Sequence, residues 1–176
     1  MRARNMALCA LFAALLAVCA WIAVPVGDIA FTLQTFGVFL TLGLLGGKWG
    51  SLSIFVYLLL GVVGLPVFTG FQGGLGVLAG ATGGYIVGFL FSGLIYWLIT
   101  ALWGNSGKTR ILAMTVGLLV CYVFGSVWFR FGYLQGGNAM GLGLIFVKCV
   151  LPYLLPDALK IALACYLTNR LQRFIS

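Results

Sequence analysis

Residues 149–167 read CVLPYLLPDALKIALACYL, an apolar run with two charges inside it, Asp157 and Lys160. The whole chain has only ten basic and two acidic side chains, and this run holds one of each. Three residues apart, they share one face if the run is helical. Counting about 1.5 Å per residue back from Arg170, Asp157 stands roughly 20 Å above the inner end of the segment and Lys160 about 15 Å. A hydrocarbon core about 30 Å thick then places Lys160 near the midplane and Asp157 in the outer half. An ionisable group at that depth costs roughly 2.5–3.5 kcal/mol on insertion scales, so it normally faces a cavity or a partner and marks a site. The pair is expected to read a polar ligand. The competing reading is an internal ion pair that fixes the last helix.

Composition sets the frame around this run. Hydrophobic residues make up 63% of the chain and charged ones 7%, where an ordinary soluble domain carries about 25% charge. The expectation is an all-α membrane protein, a single transmembrane domain over residues 1–176. At roughly 20 residues per span, about six helices fit. The net charge of +8 is dispersed rather than striped, which argues against nucleic acid. With six spans, Arg2, Arg4, Lys48, Lys108, Arg110, Arg170 and Arg173 all fall at one set of ends, the positive-inside pattern with both termini cytoplasmic. Arg130, Lys148 and Asp28 fall at the other. There is no histidine, and the five cysteines form no CxxC pair. A haem or zinc site and a histidine-based triad are therefore excluded, and no metal or cofactor is expected.

The spans are read as 5–24, 32–45, 51–65, 83–103, 111–131 and a last one that begins after Gly143 and ends near Asn169. Pro152 and Pro156 predict a break or tilt at the start of the last. The loop PVGDIA follows the first span, and GGKWG makes a tight turn between the second and third. The basic start, apolar run and small residues near Ala20 also fit a secretory leader; we read the segment as a first spanning helix. Between the third and fourth spans, residues 68–85 (FTGFQGGLGVLAGATGGY) hold seven glycines and no charge. Irregular backbone at membrane depth is tolerated where protein buries it or a cavity receives it. This segment lies on the outer side with Asp157, so it is expected to fold over a pocket as a lid. A plain linker is the alternative.

Other features add to the outer half. Gln34, in TLQTF, and Gln72, in the glycine-rich segment, each offer a donor and an acceptor. Tyr85 adds an aromatic wall with a hydroxyl. The first helix carries Ala3, Ala7, Ala10, Ala14 and Ala17 at steps of four and three. Such a stripe lets another helix approach closely, inside the bundle or from a second membrane protein. GNSGKTR, residues 104–110, looks like the end of a phosphate-binding loop. The full pattern needs glycine at position 102, which is Leu102, so the stretch reads as a cytoplasmic turn and the chain itself is not expected to hydrolyse ATP.

Taken together, TLQTF, LLGGKWGSLS, YLLLGVVGLPVF, the GG of FQGGLG, GATGGYIVGF and PDALK resemble the BioY family, the biotin-specific S components of energy-coupling factor (ECF) vitamin transporters. The stretches are collinear and cover most of 32–88 plus 156–160. The resemblance implies a six-helix bundle of the S-component type in the bacterial plasma membrane, with an outward-facing biotin pocket. It implies a transmembrane coupling subunit and two cytoplasmic ATPases as partners, although some family members occur without them. It assigns biotin contacts to Asp157, Lys160, Gln72 and Gln34, with Lys160 either stabilising Asp157 or pairing with the ligand's carboxylate; the aromatic residues Tyr85, Phe68 and Phe71 are suited by their chemistry to cover the ring system. It also turns the alanine stripe, Ala7, Ala10, Ala14 and Ala17, into a docking face for the coupling subunit. Two positions depart from the family pattern: Ala81 replaces a common proline, and Ile86 stands where some members carry arginine. The alternatives are an S component for another vitamin, or a membrane-embedded enzyme. The second is hard to assemble from two acids and no histidine and would need Asp28 beside Asp157.

Overall fold

A computed structural model describes residues 2–26, 29–135 and 141–175. Helix α1 (Arg2–Trp21) leads into a β-hairpin, β1 (Ala23–Val26) and β2 (Ile29–Thr32). Helix α2 (Gln34–Val62) follows, then the short α3 (Leu75–Ala79), α4 (Gly83–Trp103) and α5 (Gly107–Gln135). Helices α6 (Leu142–Cys149) and α7 (Leu151–Ile175) complete the chain. Among the described residues, four stretches are long and apolar enough to cross a membrane: Ala3–Trp21, Gln34–Val62, Gly83–Trp103 and Gly107–Gly132.

Helix α2 is not straight. At Gly46 the backbone leaves helical geometry, with φ 74° and ψ 172°, a conformation that glycine adopts without steric cost. A straight helix would put Gln34 and Tyr57 about 35 Å apart, yet the Gln34 Nε2 donates to the Tyr57 hydroxyl at 2.8 Å. The chain therefore doubles back at Gly46 into two antiparallel arms, 34–45 and 47–62. The expected five-residue turn is in fact a single residue, and the second arm begins at once with Gly47. A Cβ there would stand 2.4 Å from the Trp97 Cα, so the absent side chain lets α2 and α4 touch backbone to backbone.

The loop expected at PVGDIA is also different. Ala23–Val26 pairs antiparallel with Ile29–Thr32, Ala23 opposite Thr32 and Pro25 opposite Ala30. The β-branched residues Val24, Val26, Ile29 and Thr32 favour that geometry, and a two-stranded ribbon consists only of edges, where proline is tolerated. The expectation of a purely helical chain is corrected to this extent.

The segment expected to form the last span divides just ahead of its prolines. Helix α6 ends at Val150, whose φ of −122° breaks the helix, and α7 starts with Pro152 in its first turn, where a missing N–H costs little. Pro156 sits further inside, and the helix continues past it. The core runs along the bundle axis through Leu16, Phe39, Leu42, Ile54, Tyr57, Tyr96, Met114 and Phe129, each below 2% exposed. Helix α4 packs along α5 through small residues: Gly88 faces Cys121, and Gly117 faces Ser92. In lipid, such close approach replaces the hydrophobic drive that is absent between helices.

Candidate functional site

The hairpin, the entry of α2, the glycine-rich segment 63–82 and the upper parts of α4 to α7 surround one cavity of about 370 Å³. That is within the range of small-molecule sites, roughly 300–1,000 Å³. Its wall is mostly apolar, with Phe68, Val77, Ile86, Phe89 and Leu118, and carries a few polar groups from separate elements.

Helix α7 supplies the charged pair. Asp157 is 3% exposed and Lys160 7% exposed, and both line the cavity. The Lys160 Nζ donates to Asp157 Oδ1 at 2.7 Å, to the Thr32 carbonyl at 2.8 Å and to Thr35 Oγ1 at 3.3 Å. Its three donors are thus all engaged. The same ammonium lies 4.1 Å from the centre of the Phe31 ring, which adds cation–π attraction in a desolvated setting. Lys160 so ties α7 to the hairpin and to the start of α2. The Tyr122 hydroxyl, on α5, donates to Asp157 Oδ2 at 2.5 Å. Each carboxylate oxygen keeps further acceptor capacity, so a ligand N–H can still be received.

A second polar chain starts at Gln34, next to Thr35. The Gln34 Nε2 gives one of its two N–H donors to the Tyr57 hydroxyl, and that hydroxyl donates to the Val67 carbonyl at 3.2 Å. That fixes the Gln34 amide with its oxygen left to accept. Tyr57 is held in turn by the edge of Phe68, ring centres 5.6 Å apart.

Of the residues singled out in the sequence, Asp157, Lys160, Gln72, Tyr85, Gln34 and Phe68 line this one cavity. Phe71 does not. It is 64% exposed, adopts a positive φ of 57° and stacks on Trp21 with ring centres 4.9 Å apart. The Trp21 indole donates to the Pro66 carbonyl at 2.9 Å, so Phe71 and Trp21 clasp the glycine-rich segment to the end of α1 from outside. On α1, Ala7, Ala10 and Ala14 face outward, while Ala17 is buried at 4% exposure. Asp28 lies outside the described residues. Sequence reading passed over Tyr122, Tyr57 and Thr35. A tyrosine within the apolar run LLVCYVF was the one available hint for Tyr122, but its partner is 35 positions away.

Comparison with known proteins places this geometry. The chain matches the model of the BioY family over residues 1–176. It is 42% identical over 172 residues to a protein of Pyrococcus horikoshii named "Probable biotin transporter BioY", covering 98% of each chain. It is 36% identical over 163 residues to the "Biotin transporter BioY" of Thermotoga maritima, covering 93% of this chain and 92% of that one. In fold it is similar to a crystal structure of the S-component for biotin from an ECF-type ABC transporter. The TM-score is 0.85 at 24% identity, over 98% of this chain and 92% of the other.

Proposed function

The chain belongs to the BioY family, and from that premise we propose that it is a membrane S component that binds biotin for uptake. It is a transport subunit, not an enzyme. The observation that carries the reading is a buried carboxylate and ammonium on the wall of an apolar cavity. Biotin's ureido ring offers two N–H donors and one carbonyl acceptor. Asp157 accepts from an N–H, and charge-assisted bonds of this kind are strong where water is scarce. The Gln34 oxygen receives a second donor, and the Gln72 amide donates to the carbonyl. Tyr85 and Phe68 cover the bicyclic ring. Lys160 acts mainly on Asp157, since all three of its donors are engaged by the protein.

The bundle crosses the bacterial plasma membrane six times in this reading, with the two arms of α2 and the long α7 each as one crossing and both termini in the cytoplasm. The outward alanine face, Ala7, Ala10 and Ala14, docks the transmembrane coupling subunit, and two cytoplasmic ATPases supply the energy. Ala17 packs within the bundle instead. A panel of vitamins titrated into the purified protein tests the specificity. A site built to hydrogen-bond one polar ring rejects ligands lacking those groups by on the order of 10⁴-fold. Biotin is therefore expected to bind more tightly than thiamin or riboflavin by about that factor, and tighter binding of either would overturn the assignment.

A further inference from the structure

The wall of the cavity presents acceptors. Of the ten basic side chains in the chain, Lys160 lines it, and no other does among the described residues. Its ammonium donates to Asp157 Oδ1, to the Thr32 carbonyl and to Thr35 Oγ1. Three donors meet three acceptors of the protein, so the ammonium has none left for a ligand anion. Hydroxyls on the wall are engaged as well. Tyr122 donates to Asp157 Oδ2, and Tyr85 is paired with Ser126 Oγ at 3.2 Å. Open toward a ligand are the remaining lone pairs of Asp157 and the Gln34 oxygen. The amides of Gln34 and Gln72, which also line the cavity, still offer N–H groups, and these are neutral.

Charge points the same way. Asp157 and Lys160 cancel, so the lining carries no net positive charge to draw an anion in. An ionised carboxylate taken into it sheds water without gaining a cation, which is costly, and Asp157 repels it at close range. Biotin has two polar ends. Its ureido ring brings N–H groups, which suit a wall of acceptors. Its carboxylate stands at the end of a flexible chain and calls for a cation, several donors or water.

Resting on the biotin reading above, we infer that the site reads the ureido ring and leaves the carboxylate without a charged partner. Its ligand class then extends to biotin derivatives whose carboxyl group is neutralised as an amide or a methyl ester. Calorimetric titration of the purified protein with four ligands tests this: biotin, biotinamide, biotin methyl ester, and a methyl ester that also carries a methoxycarbonyl group on one ureido nitrogen. Biotinamide, the closest match to biotin in size, should bind within about threefold of biotin or more tightly, since no charge-assisted bond is lost with its charge. A larger loss would overturn the inference; an ammonium that leaves Thr32 and Thr35 for the ligand carboxylate would produce a loss of about tenfold or more. The nitrogen-blocked ester should bind at least about tenfold more weakly than the plain ester, because it lacks one donor for Asp157. Equal binding by those two esters would overturn the ring reading on which the inference rests, whatever biotinamide does. Absence of saturable binding by biotin would overturn both.

Discussion

Asp157→Leu alone is expected to destabilise the protein severely, Asp157→Leu with Lys160→Met to recover part of that loss, and both to bind biotin far more weakly than wild type. The single change strands the Lys160 ammonium, 7% exposed, without its carboxylate, and breaking a buried pair in this way costs about 3–5 kcal/mol. Removing both charges leaves no orphan ion, and replacing a buried pair by matched apolar groups is often close to neutral. What remains is the Tyr122 hydroxyl, which loses its acceptor at a cost of about 1–3 kcal/mol, together with the Thr32 carbonyl and Thr35 Oγ1, which lose the Lys160 donor; adding Tyr122→Phe removes the first of these terms. Binding does not recover with stability. Losing charge-assisted bonds of about 1.5–3 kcal/mol each lowers affinity by roughly 100-fold or more. Thermal unfolding and biotin titration on the same preparations separate the two roles. A folded double variant with undiminished affinity would reduce the pair to a structural strut.

Gly83→Ala is the second large effect, and it tests how the glycine-rich segment is seated over the cavity. A Cβ at Gly83 would lie in the same space as the Leu78 carbonyl, 1.8 Å from its oxygen. Backbone cannot swing aside as a side-chain tip can, so the turn between α3 and α4 must move, and overpacking of this kind typically costs about 1–3 kcal/mol. Thr82 and Tyr85, on either side of it, line the cavity, so biotin affinity should fall by about tenfold or more along with stability, at about 1.4 kcal/mol per decade. Gly76→Ala is the control. It lies in α3 with nothing within 4 Å of the new Cβ, and alanine is the better helix former. Its affinity and melting temperature should match or slightly exceed wild type. Equal losses from both variants would mean that the segment tolerates no change for reasons unrelated to its contact with α4.

The features legible in the sequence are those the membrane makes expensive. Asp157 and Lys160 stand out because charge inside an apolar run demands a reason, and the cavity wall does hold them. Helix α4 begins at Gly83 and ends at Trp103, as read, because a continuous apolar stretch between glycine-rich breaks has no competing geometry. The hairpin was not legible. Ten residues that include a proline and a glycine look like a loop, and the pairing of Ala23 with Thr32 joins residues nine positions apart. Phe71 was assigned to the ring-covering wall by its neighbourhood alone. The positive φ at this position turns its side chain outward onto Trp21, and backbone handedness at a single non-glycine residue leaves no trace in composition. Tyr122 and Tyr57 were missed for a related reason. A lone tyrosine in a span is unremarkable until folding brings Asp157 or Gln34 to its hydroxyl.

In the function proposed above, the cavity beneath residues 63–82 receives biotin through the carboxylate of Asp157. An experimental structure of the biotin-saturated protein tests it most directly. The account predicts density for a bicyclic ligand in that cavity, with a ureido N–H about 2.7–3.2 Å from an Asp157 oxygen and Lys160 still on the carboxylate. Density elsewhere on the bundle, or a ligand in the cavity whose ureido ring faces away from α7, would contradict it.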